Sequence, residues 1–519
     1  MEMNNQTDYD VVVIGAGLAG LTTATKLQKL GAKVLLLEQH FIVGGYASNF
    51  KRKGYEFDAS IHFFPGAGKN GGMGKILKLI DVETKVEFIP LESRYRSVFP
   101  NHTLEWSNDL DVLISTLQQF FPHEKENIVS YFSDMRELYK GIQFITSARY
   151  LGEMSFFKMV TGFLRNIKAI LKIGKYMDKP YYEFLQERIK DPQLKGLLAQ
   201  AWGYIGTPPR ELSLLFFVNA TYSFFEEGGY YVKGGSQNLS NAIAAAFQEH
   251  GGELRTSHDV TEILIKHGTA TGVTVFDKNK KTAYTITSQV IISCCDNWHT
   301  FKDLVGFDKL PSSFIEKLQS LKPAMSVFAV YLGVDMELPE QFKDAYDVLV
   351  FNSYDVDELY KGVQAKNFGM YIIAIYSNVC PEFSPLSGQK HVICLLANME
   401  NNPENLEEVW KVADPYDTNR SEEYNQIKQD LALQLIEEAE KHIPGLKKSI
   451  EVIEIGTPVT FQRYTRNYGG SYLGWSNIVE QSILKRQGNI TPIKNLFTTS
   501  QWTFPGGGVA ACIIGGGIC

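Results

Sequence analysis

Residues 11–50, VVVIGAGLAGLTTATKLQKLGAKVLLLEQHFIVGGYASNF, decide the fold. Residues 10–14 are a short, β-branched apolar run typical of a buried parallel strand, and a glycine-rich turn and a helical pattern follow it. A second apolar run then ends in Glu38. The order strand, glycine turn, helix, strand and acid predicts a unit that binds a dinucleotide.

Each glycine of the turn has a physical role in such a unit. Gly15 allows a tight turn, Gly17 allows the backbone to approach a pyrophosphate, and Gly20 allows the helix to pack closely on the strand. The helix N-terminus attracts the phosphate charge. Glu38 can accept hydrogen bonds from a ribose diol, so we expect these four residues to bind the cofactor.

Composition limits the remaining possibilities. The 519 residues are 44% apolar, which is enough for a large core and about three domains. A formal net charge of -7 gives no reason to expect a nucleic-acid partner. Six cysteines without a C-x-x-C pair predict neither a disulfide framework nor a metal site, and Cys294 and Cys295 are interpreted as buried residues at a strand end.

The two ends of the sequence bear on location. MEMNNQTDYD, residues 1–10, lacks the basic start and apolar core of a signal peptide, so a cytoplasmic protein is expected. Residues 495–519 are uncharged, but glycine, serine, threonine and proline interrupt them. A spanning helix needs a nearly continuous apolar run of about 20 residues, so we predict no transmembrane segment.

The residues after Glu38 separate the possible cofactors. Gly44 and Gly45 follow only six residues after the acid, where a nicotinamide domain would continue into another helix. This glycine pair, followed by GYEFDASIHFF, resembles the flavin-dependent superfamily of amine oxidases, phytoene desaturases, carotenoid isomerases and retinol saturases. The resemblance implies FAD as the cofactor.

Three further blocks resemble the same superfamily in the same order. Residues 228–265 resemble its second flavin block and imply that Val260 contacts the adenine side. Residues 457–476 resemble the segment before the last flavin block. Residues 495–516, NLFTTSQWTFPGGGVAACIIGG, resemble the closing block, which implies cofactor contacts for Gln501, Gly506 and Gly507.

The resemblance implies an α/β fold of interleaved parts. We expect a Rossmann-type FAD-binding domain, glutathione-reductase-like and of the amine oxidase superfamily, with an interleaved mixed α+β substrate domain. The expected FAD-binding domain comprises residues 1–90, 225–300 and 477–519. The expected substrate domain comprises residues 91–224 and 301–476.

The pattern FDASIHFF is most similar to the retinol saturase and carotenoid isomerase branch. That branch implies saturation, desaturation or cis-trans isomerisation of a polyene or isoprenoid lipid, with saturation favoured.

Aromatic-rich segments within residues 90–225 and 300–455 suit either a protein core or an apolar ligand pocket. His62 would lie near the flavin, either as a catalytic group that orients substrate or moves a proton, or as a structural histidine.

Residues 155–177, SFFKMVTGFLRNIKAILKIGKYM, contain no acidic residue and have an amphipathic pattern at about 100° per residue. The apolar side comprises Phe156, Val160, Phe163, Ile167, Ile170 and Leu171, and the basic side comprises Lys158, Arg165, Lys168, Lys172 and Lys175. Two interpretations remain open: a helix in the interface of an anionic membrane, or a surface helix that packs on its own core.

Two departures from the superfamily pattern concern the flavin end. Gln501 stands where many relatives have an acid that binds the ribityl chain, and it can still donate and accept hydrogen bonds. The glycines of residues 515–517 are expected to cut the final helix short.

No second glycine fingerprint follows a strand, so the electron donor or acceptor is an unidentified external partner or the reaction is redox-neutral.

Two other functions remain open from the sequence. The first is a non-catalytic lipid-binding protein that resembles GDP-dissociation inhibitors, although such a protein has no need for the glycine turn and Glu38. The second is a flavin amine oxidase, which would require a cation-binding aromatic cage.

Overall fold

The computed structural model describes residues 7–150 and 156–519, and the side chains of all of these except 147–150, 156–160 and 484. Ser155, the first residue of the predicted amphipathic helix, and residues 1–6 of the predicted FAD-binding domain lie outside this description.

The described residues form 19 β-strands in four sheets. In chain order they are β1 (Tyr9–Ile14), β2 (Val34–Leu37), β3 (Asn49–Arg52), β4 (Tyr55–Asp58), β5 (Phe64–Pro65), β6 (Phe88–Leu91), β7 (Ser93–Val98), β8 (Thr103–Ser107), β9 (Gly229–Val232), β10 (Glu253–Arg255), β11 (His258–Lys266), β12 (Thr269–Asp277), β13 (Thr282–Ser293), β14 (Ser326–Asp335), β15 (Asp347–Phe351), β16 (Met370–Ile375), β17 (Lys390–Met399), β18 (Ile450–Gly456) and β19 (Leu496–Thr498).

The same residues form 17 α-helices. They are α1 (Leu18–Lys29), α2 (Gly72–Leu79), α3 (Leu110–Phe120), α4 (Lys125–Tyr150), α5 (Phe156–Tyr176), α6 (Tyr181–Arg188), α7 (Pro192–Ala199), α8 (Trp202–Ile205), α9 (Leu214–Glu227), α10 (Ser236–Glu249), α11 (Ser312–Ser320), α12 (Val356–Gln364), α13 (Leu406–Trp410), α14 (Glu422–Glu440), α15 (Leu446–Ser449), α16 (Pro458–Thr465) and α17 (Val509–Ile518).

The first seven-stranded sheet is the dinucleotide-binding sheet. Its order is β10-β2-β1-β13-β12-β11, and β19 also pairs with β13. The pairs that involve β1, β2, β10 and β19 are parallel, whereas β11, β12 and β13 form an antiparallel meander. Strands β1 and β2 are almost entirely buried, as expected for a parallel sheet covered on both faces. The Rossmann-type fold predicted from the sequence is therefore confirmed.

The second seven-stranded sheet has the order β18-β14-β17-β16-β15-β7-β8. All of its pairs are antiparallel except β7 with β15. One face packs against α14, and a large cluster of helices with buried aromatic side chains lies beside the other part of the sheet. A small sheet, β5-β9-β6, lies within the residues predicted for the FAD-binding domain, except for Leu91 at the end of β6.

The final helix differs from the sequence expectation. Helix α17 continues through the glycines of residues 515–517 to Ile518. A β-carbon on Gly516 would lie 2.5 Å from the carbonyl oxygen of Ala19, and one on Gly517 would lie 2.7 Å from the side chain of Ile76. The glycines thus allow α17 to pack closely on α1 and α2, and they do not cut the helix short.

Helix α5 packs on α4 through a narrow side. The buried side chains of this side are Ala169, Ile173 and Tyr176. Large apolar side chains elsewhere on the helix are exposed, namely Phe163, Leu164, Ile167 and Leu171. Among the described residues, no helix combines the length and apolar character needed to cross a membrane.

Candidate functional site

The larger of two adjoining cavities opens at the carboxyl ends of the parallel strands in the dinucleotide-binding sheet. We call it the first cavity; its empty volume is about 1190 Å³. The β1–α1 turn, Glu38, Val260 and the start of α17 all contribute to its lining. Ligands of open α/β sheets bind at this edge, so the topology places the cavity where a dinucleotide is expected.

The β1–α1 turn has the geometry that its glycines predict. Gly15 has φ +95°, and its N–H donates to the carbonyl oxygen of Leu37 at 2.8 Å. A β-carbon on Gly20 would lie 1.9 Å from the carbonyl oxygen of Gly15, whereas one on Gly17 would meet nothing within 4 Å. Gly20 thus serves close packing and does not line the cavity, while Gly17 leaves space on the cavity side of the helix N-terminus.

Glu38 lies at the end of β2 with its side chain held in place. Its carboxylate accepts hydrogen bonds from the N–H groups of Ala16 and His40, both at 2.8 Å. Burial raises the pKa of the Glu38 carboxyl above its ordinary value, and these two hydrogen bonds oppose the shift. The carboxylate therefore links the glycine turn to the strand end and lines the first cavity.

The glycine pair closes the turn from the other side. The N–H of Gly44 donates to the carbonyl oxygen of Ala16 at 2.8 Å. Gly44 has φ +118° and Gly45 has φ +60°, and a β-carbon on Gly45 would lie 3.5 Å from the α-carbon of Gly17. The pair therefore brings a second stretch of backbone against the turn, and both glycines line the cavity.

Residues near the carboxyl terminus also line the first cavity. Gln501 lines it, as do Gly508 and Val509 at the start of α17. Gly506 and Gly507 do not line it: a β-carbon on Gly507 would lie 2.6 Å from the carbonyl oxygen of Leu473. Their place is in the turn that brings α17 to the cavity.

Several lining residues were not found by the sequence analysis. Arg466 lies within the block of residues 457–476, and its guanidinium donates to Asp259 at 2.5 Å. The carboxylate of Asp296 accepts from the N–H groups of Tyr468 at 2.7 Å and His299 at 2.9 Å. Burial raises the pKa of Asp296 to about 7. Arg466 lies in the segment 457–476, whose resemblance to the superfamily could have indicated it. The only sequence feature of Asp296 is its position after a strand.

Three cysteine thiols also border this cavity. Cys294 and Cys295 follow directly after β13, as predicted, but they are half-buried and not fully buried. Cys512 lies on α17. All three are free thiols, and burial raises the pKa of each above its ordinary value. They are therefore protonated at neutral pH and contribute small, weakly polar surface to the cavity.

A second cavity adjoins the first at Tyr472, which lines both. Its empty volume is about 440 Å³. Its lining is mainly apolar, and comprises His62, Gly203, Tyr204, Val327, Leu349, Met370, Tyr371, Ile372, Leu396, Ala397, Asn398 and Tyr472. His62 therefore lines the second cavity and not the first, although its neighbour Ile61 lines the first.

His62 is held by a carboxylate. Its Nδ1 lies 3.2 Å from both carboxylate oxygens of Asp347, and the hydroxyl of Tyr204 also donates to that carboxylate. Since a carboxylate accepts hydrogen bonds, we assign the imidazole proton to Nδ1. Nε2 is buried and has no hydrogen-bond partner among the described residues. No sequence pattern indicates Asp347, because it lies 285 positions from His62.

The first cavity fits a dinucleotide with a flavin end. The empty space beside Gly17 is a cradle that a side chain would fill, and the first turn of α1 carries no acidic residue to oppose a phosphate. Glu38 and Gln501 both line this cavity. The fold and this site define a Rossmann-type flavoprotein.

The family follows from comparison with known proteins. A family model described as "Flavin containing amine oxidoreductase" matches residues 18–368. The chain belongs to this family of flavin-containing amine oxidoreductases. The class predicted from the sequence, an FAD-dependent oxidoreductase, is confirmed.

Two curated relatives and one solved structure illustrate the similarity. The chain is 27% identical to prolycopene isomerase 1, chloroplastic, of an Oncidium hybrid cultivar, over 99% of this chain and 83% of the relative. It is 26% identical to all-trans-retinol 13,14-reductase of Danio rerio, over 95% and 82%. An oxidoreductase from Methanosarcina mazei has the same fold, with a TM-score of 0.61, 17% identity and 98% coverage of both chains.

Proposed function

We propose that this protein is an FAD-dependent oxidoreductase that acts on a carbon–carbon double bond of a polyene lipid. The observation that carries the proposal is the second cavity, which is mainly apolar and shares the lining residue Tyr472 with the first. An apolar chamber with few polar groups suits a long unsaturated hydrocarbon chain. The relatives named for prolycopene and retinol, which are both conjugated polyenes, support the same substrate class.

Each end of the first cavity has a proposed role in binding FAD. We assign Gly15, Gly17 and Gly20 to the pyrophosphate turn and Glu38 to the adenosine ribose. The glycine pair Gly44 and Gly45 supports that turn, and the backbone near Val260 borders the adenine. We assign Gln501 to the ribityl chain, with Gly506 and Gly507 in the turn that presents the N-terminus of α17 to the flavin end.

When bound, FAD supplies a hydride donor and acceptor for the double bond. The protein holds the polyene in a dry, apolar chamber beside it, which excludes water and fixes the distance between the reacting atoms. We propose that His62 provides the proton as an imidazolium: Nδ1–H stays donated to Asp347, and Nε2, which is unprotonated in the resting neutral imidazole, first takes up the proton that it then gives to the double bond. Asp347 and Tyr204 hold the imidazole so that this nitrogen faces the second cavity.

Of the possible outcomes we favour saturation over desaturation or isomerisation. In saturation, one carbon of the double bond gains a hydride and its neighbour gains a proton, so a proton donor must lie in the substrate chamber. His62 meets that requirement. In isomerisation the substrate gains no net hydride and no net proton, so that reaction does not require a proton donor. The electrons for saturation come from an external donor, since no second nucleotide fingerprint is present in the sequence.

A spectroscopic experiment tests this function. The purified holoprotein is reduced without oxygen, and all-trans-retinol or a lycopene isomer is added. We expect the oxidised flavin spectrum to return while the polyene gains two hydrogen atoms, detected by mass spectrometry. Reduction of the oxidised flavin by an amine, with no response to any polyene, would show an amine oxidase. A folded protein that does not take up FAD would show a lipid-binding protein.

The exposed apolar side of α5 supports a further part of the proposal, contact with an anionic membrane. Ala169, Ile173 and Tyr176 of α5 are buried, whereas Phe163, Ile167 and Leu171 of the predicted apolar side are exposed. Arg165, Lys168 and Lys175 are exposed beside it, while Lys172 forms ion pairs with α4. An exposed apolar stripe flanked by cations suits the headgroup region of a bilayer. A lipid substrate could enter from that surface.

A further inference from the structure

A buried arginine lies in the helical part of the substrate domain. Arg94 of β7 is only 3% exposed, and no carboxylate forms an ion pair with it in the part of the chain that the structure describes. Its Nη1 donates to the carbonyl oxygen of Thr221 at 3.0 Å. Its Nε and Nη2 are buried and have no hydrogen-bond partner among the described residues.

Aromatic rings take the place of a counter-ion around Arg94. The guanidinium lies 4.6 Å from the ring centre of Phe225, 5.1 Å from that of Phe224 and 5.9 Å from that of Trp106. Cation–π contacts of this kind offset only part of the cost of removing a charge from water. Burial lowers the pKa of Arg94 to about 10, so it remains charged at neutral pH.

A second unpartnered donor lies beside Arg94. The hydroxyl of Tyr95 is buried without a hydrogen-bond partner in the part of the chain that the structure describes, and the charges of Arg94 and Tyr95 each influence the pKa of the other. Both groups donate, and a protonated guanidinium cannot accept. Among the described residues no acceptor satisfies Nε or Nη2 of Arg94, and a negatively charged acceptor would satisfy them best.

Aromatic side chains connect this site with the second cavity. Tyr204, which lines that cavity, has its ring 4.8 Å from Phe63 and 5.7 Å from Tyr95. Phe63 in turn lies 5.4 Å from Phe224, one of the rings that face Arg94. The rings fill the space between the two places, so a ligand chain that reached from one to the other would displace Phe63.

From these contacts we infer that Arg94 and Tyr95 bind the oxygen-bearing end of the polyene substrate, and that a carboxylate is the end group that fits best. This inference rests on the proposed function and specifies its substrate class. The Arg94 guanidinium can hold a carboxylate through Nε and Nη2 together, as a two-pronged pair. A cationic amine is disfavoured at the same place, because Arg94 would repel it.

Binding of three matched probes tests the inference. All-trans-retinoic acid, all-trans-retinol and the hydrocarbon in which a methyl group replaces the alcohol are titrated into the holoprotein, with tryptophan fluorescence as the signal. We expect the acid to bind at least tenfold more tightly than the hydrocarbon, with the alcohol between them. In Arg94→Met this preference should disappear, with hydrocarbon binding unchanged. Arg94→Lys should retain part of the preference for the acid, because the lysine ammonium keeps the positive charge but lacks the planar guanidinium that can bind both carboxylate oxygens.

Folding is monitored separately. Replacing a buried, unpaired charge by an apolar side chain of similar length is often neutral or stabilising, so Arg94→Met should melt no lower than the wild type. Arg136→Met, at an exposed arginine 3.5 Å from Glu226, is the matched control and should bind all probes as the wild type does. Equal affinity of the wild type for acid and hydrocarbon would overturn the inference and leave polyene binding intact. If no probe bound, the proposed function would fail as well.

Discussion

The hydroxyl of Tyr472 donates a hydrogen bond to the carbonyl oxygen of Ser60 at 2.7 Å, and both residues line the first cavity. The contact is one of four. Tyr376 donates to the carbonyl oxygen of Ile61 at 2.9 Å, Tyr346 donates to that of His62 at 2.5 Å, and Tyr331 donates to that of Ala59. Four tyrosines thus hold four consecutive carbonyl groups.

This arrangement fixes the segment of residues 59–62 between the two cavities. The segment places Ile61 in the lining of the first cavity and His62 in that of the second. Its rigidity comes from side chains that lie far away in the sequence. Asp58, at the end of β4, adds to it by accepting from the N–H group of Ile61 at 2.9 Å.

Removing one of these hydroxyls tests their role. Tyr376→Phe deprives the buried carbonyl group of Ile61 of a donor, and we expect a loss of about 1–3 kcal/mol in the free energy of unfolding. Tyr376→Phe with Tyr346→Phe should differ from the sum of the single changes, because both hydroxyls hold the same segment. Urea unfolding of the single and double variants measures this. Strict additivity would contradict a shared role.

The two glycines of the turn should respond differently to a side chain. Gly17 has φ −70°, ψ 173° and open space around it, so Gly17→Val should fold normally and lose FAD, because the side chain fills the pyrophosphate cradle. Gly20→Val should fail to fold, since its β-carbon would lie 1.9 Å from the carbonyl oxygen of Gly15. Flavin content and circular dichroism distinguish the two outcomes. Gly488→Val, at an exposed glycine with open space, is the control.

Much of this site could be predicted from the sequence because its signals are local. The turn from Gly15 to Gly20, Glu38 and the pair Gly44 and Gly45 all carry short-range patterns of glycine and charge. Asp347 and Arg94 carry none. Asp347 acquires its role by pairing with His62, and Arg94 acquires its role from unpaired donors in an apolar environment. Both arrangements exist only after distant strands have packed together. The exposed side of α5 could also not be inferred, because a helical pattern does not show which side meets the core.

Asp296 should make the stability of the cofactor-free protein depend on pH. Its pKa rises from an ordinary value of 3.8 to about 7 in the folded protein, because burial favours the neutral acid. The folded state then binds more protons than the unfolded state between these values, so stability is full at low pH and falls as pH rises towards 7. In Asp296→Asn this fall should be absent. The free energy of unfolding, measured in urea from pH 5 to pH 8, tests it; identical pH dependence of both proteins would contradict it.

The imidazole of His62 should exist as one tautomer. With Nδ1–H donated to Asp347, Nε2 should give the nitrogen resonance of an unprotonated site in neutral imidazole. In Asp347→Asn, the Tyr204 hydroxyl would hold the amide oxygen and turn the amide N–H towards Nδ1, which would move the proton to Nε2. Nitrogen NMR of protein labelled in histidine reports this without turnover.

The same variants have a kinetic consequence for saturation. His62→Gln should slow polyene saturation by about 10²- to 10⁴-fold, the usual contribution of general acid catalysis. Asp347→Glu should retain more activity than Asp347→Asn, because it keeps the carboxylate. An unchanged rate in His62→Gln, with the fold intact, would assign His62 a structural role.

The exposed side of α5 should bind anionic membranes. Phe163 is 46%, Leu164 62% and Leu171 69% exposed, and insertion of these side chains into the headgroup region would remove apolar surface from water. Leu164→Ser with Leu171→Ser should therefore release the protein from vesicles that contain phosphatidylserine. Sedimentation of the protein with such vesicles measures binding, and added salt should weaken it, because the flanking cations act through a screened attraction.

Leu386→Ser is the matched control for this change, since Leu386 is also fully exposed but lies in a loop far from α5 in the sequence. It should leave vesicle binding unchanged. If the α5 double variant bound vesicles as tightly as the wild type did, α5 would be a surface helix whose apolar side serves another purpose. If the double variant also turned over a vesicle-borne polyene more slowly, but a detergent-dispersed polyene at the normal rate, α5 would be the route by which the substrate enters.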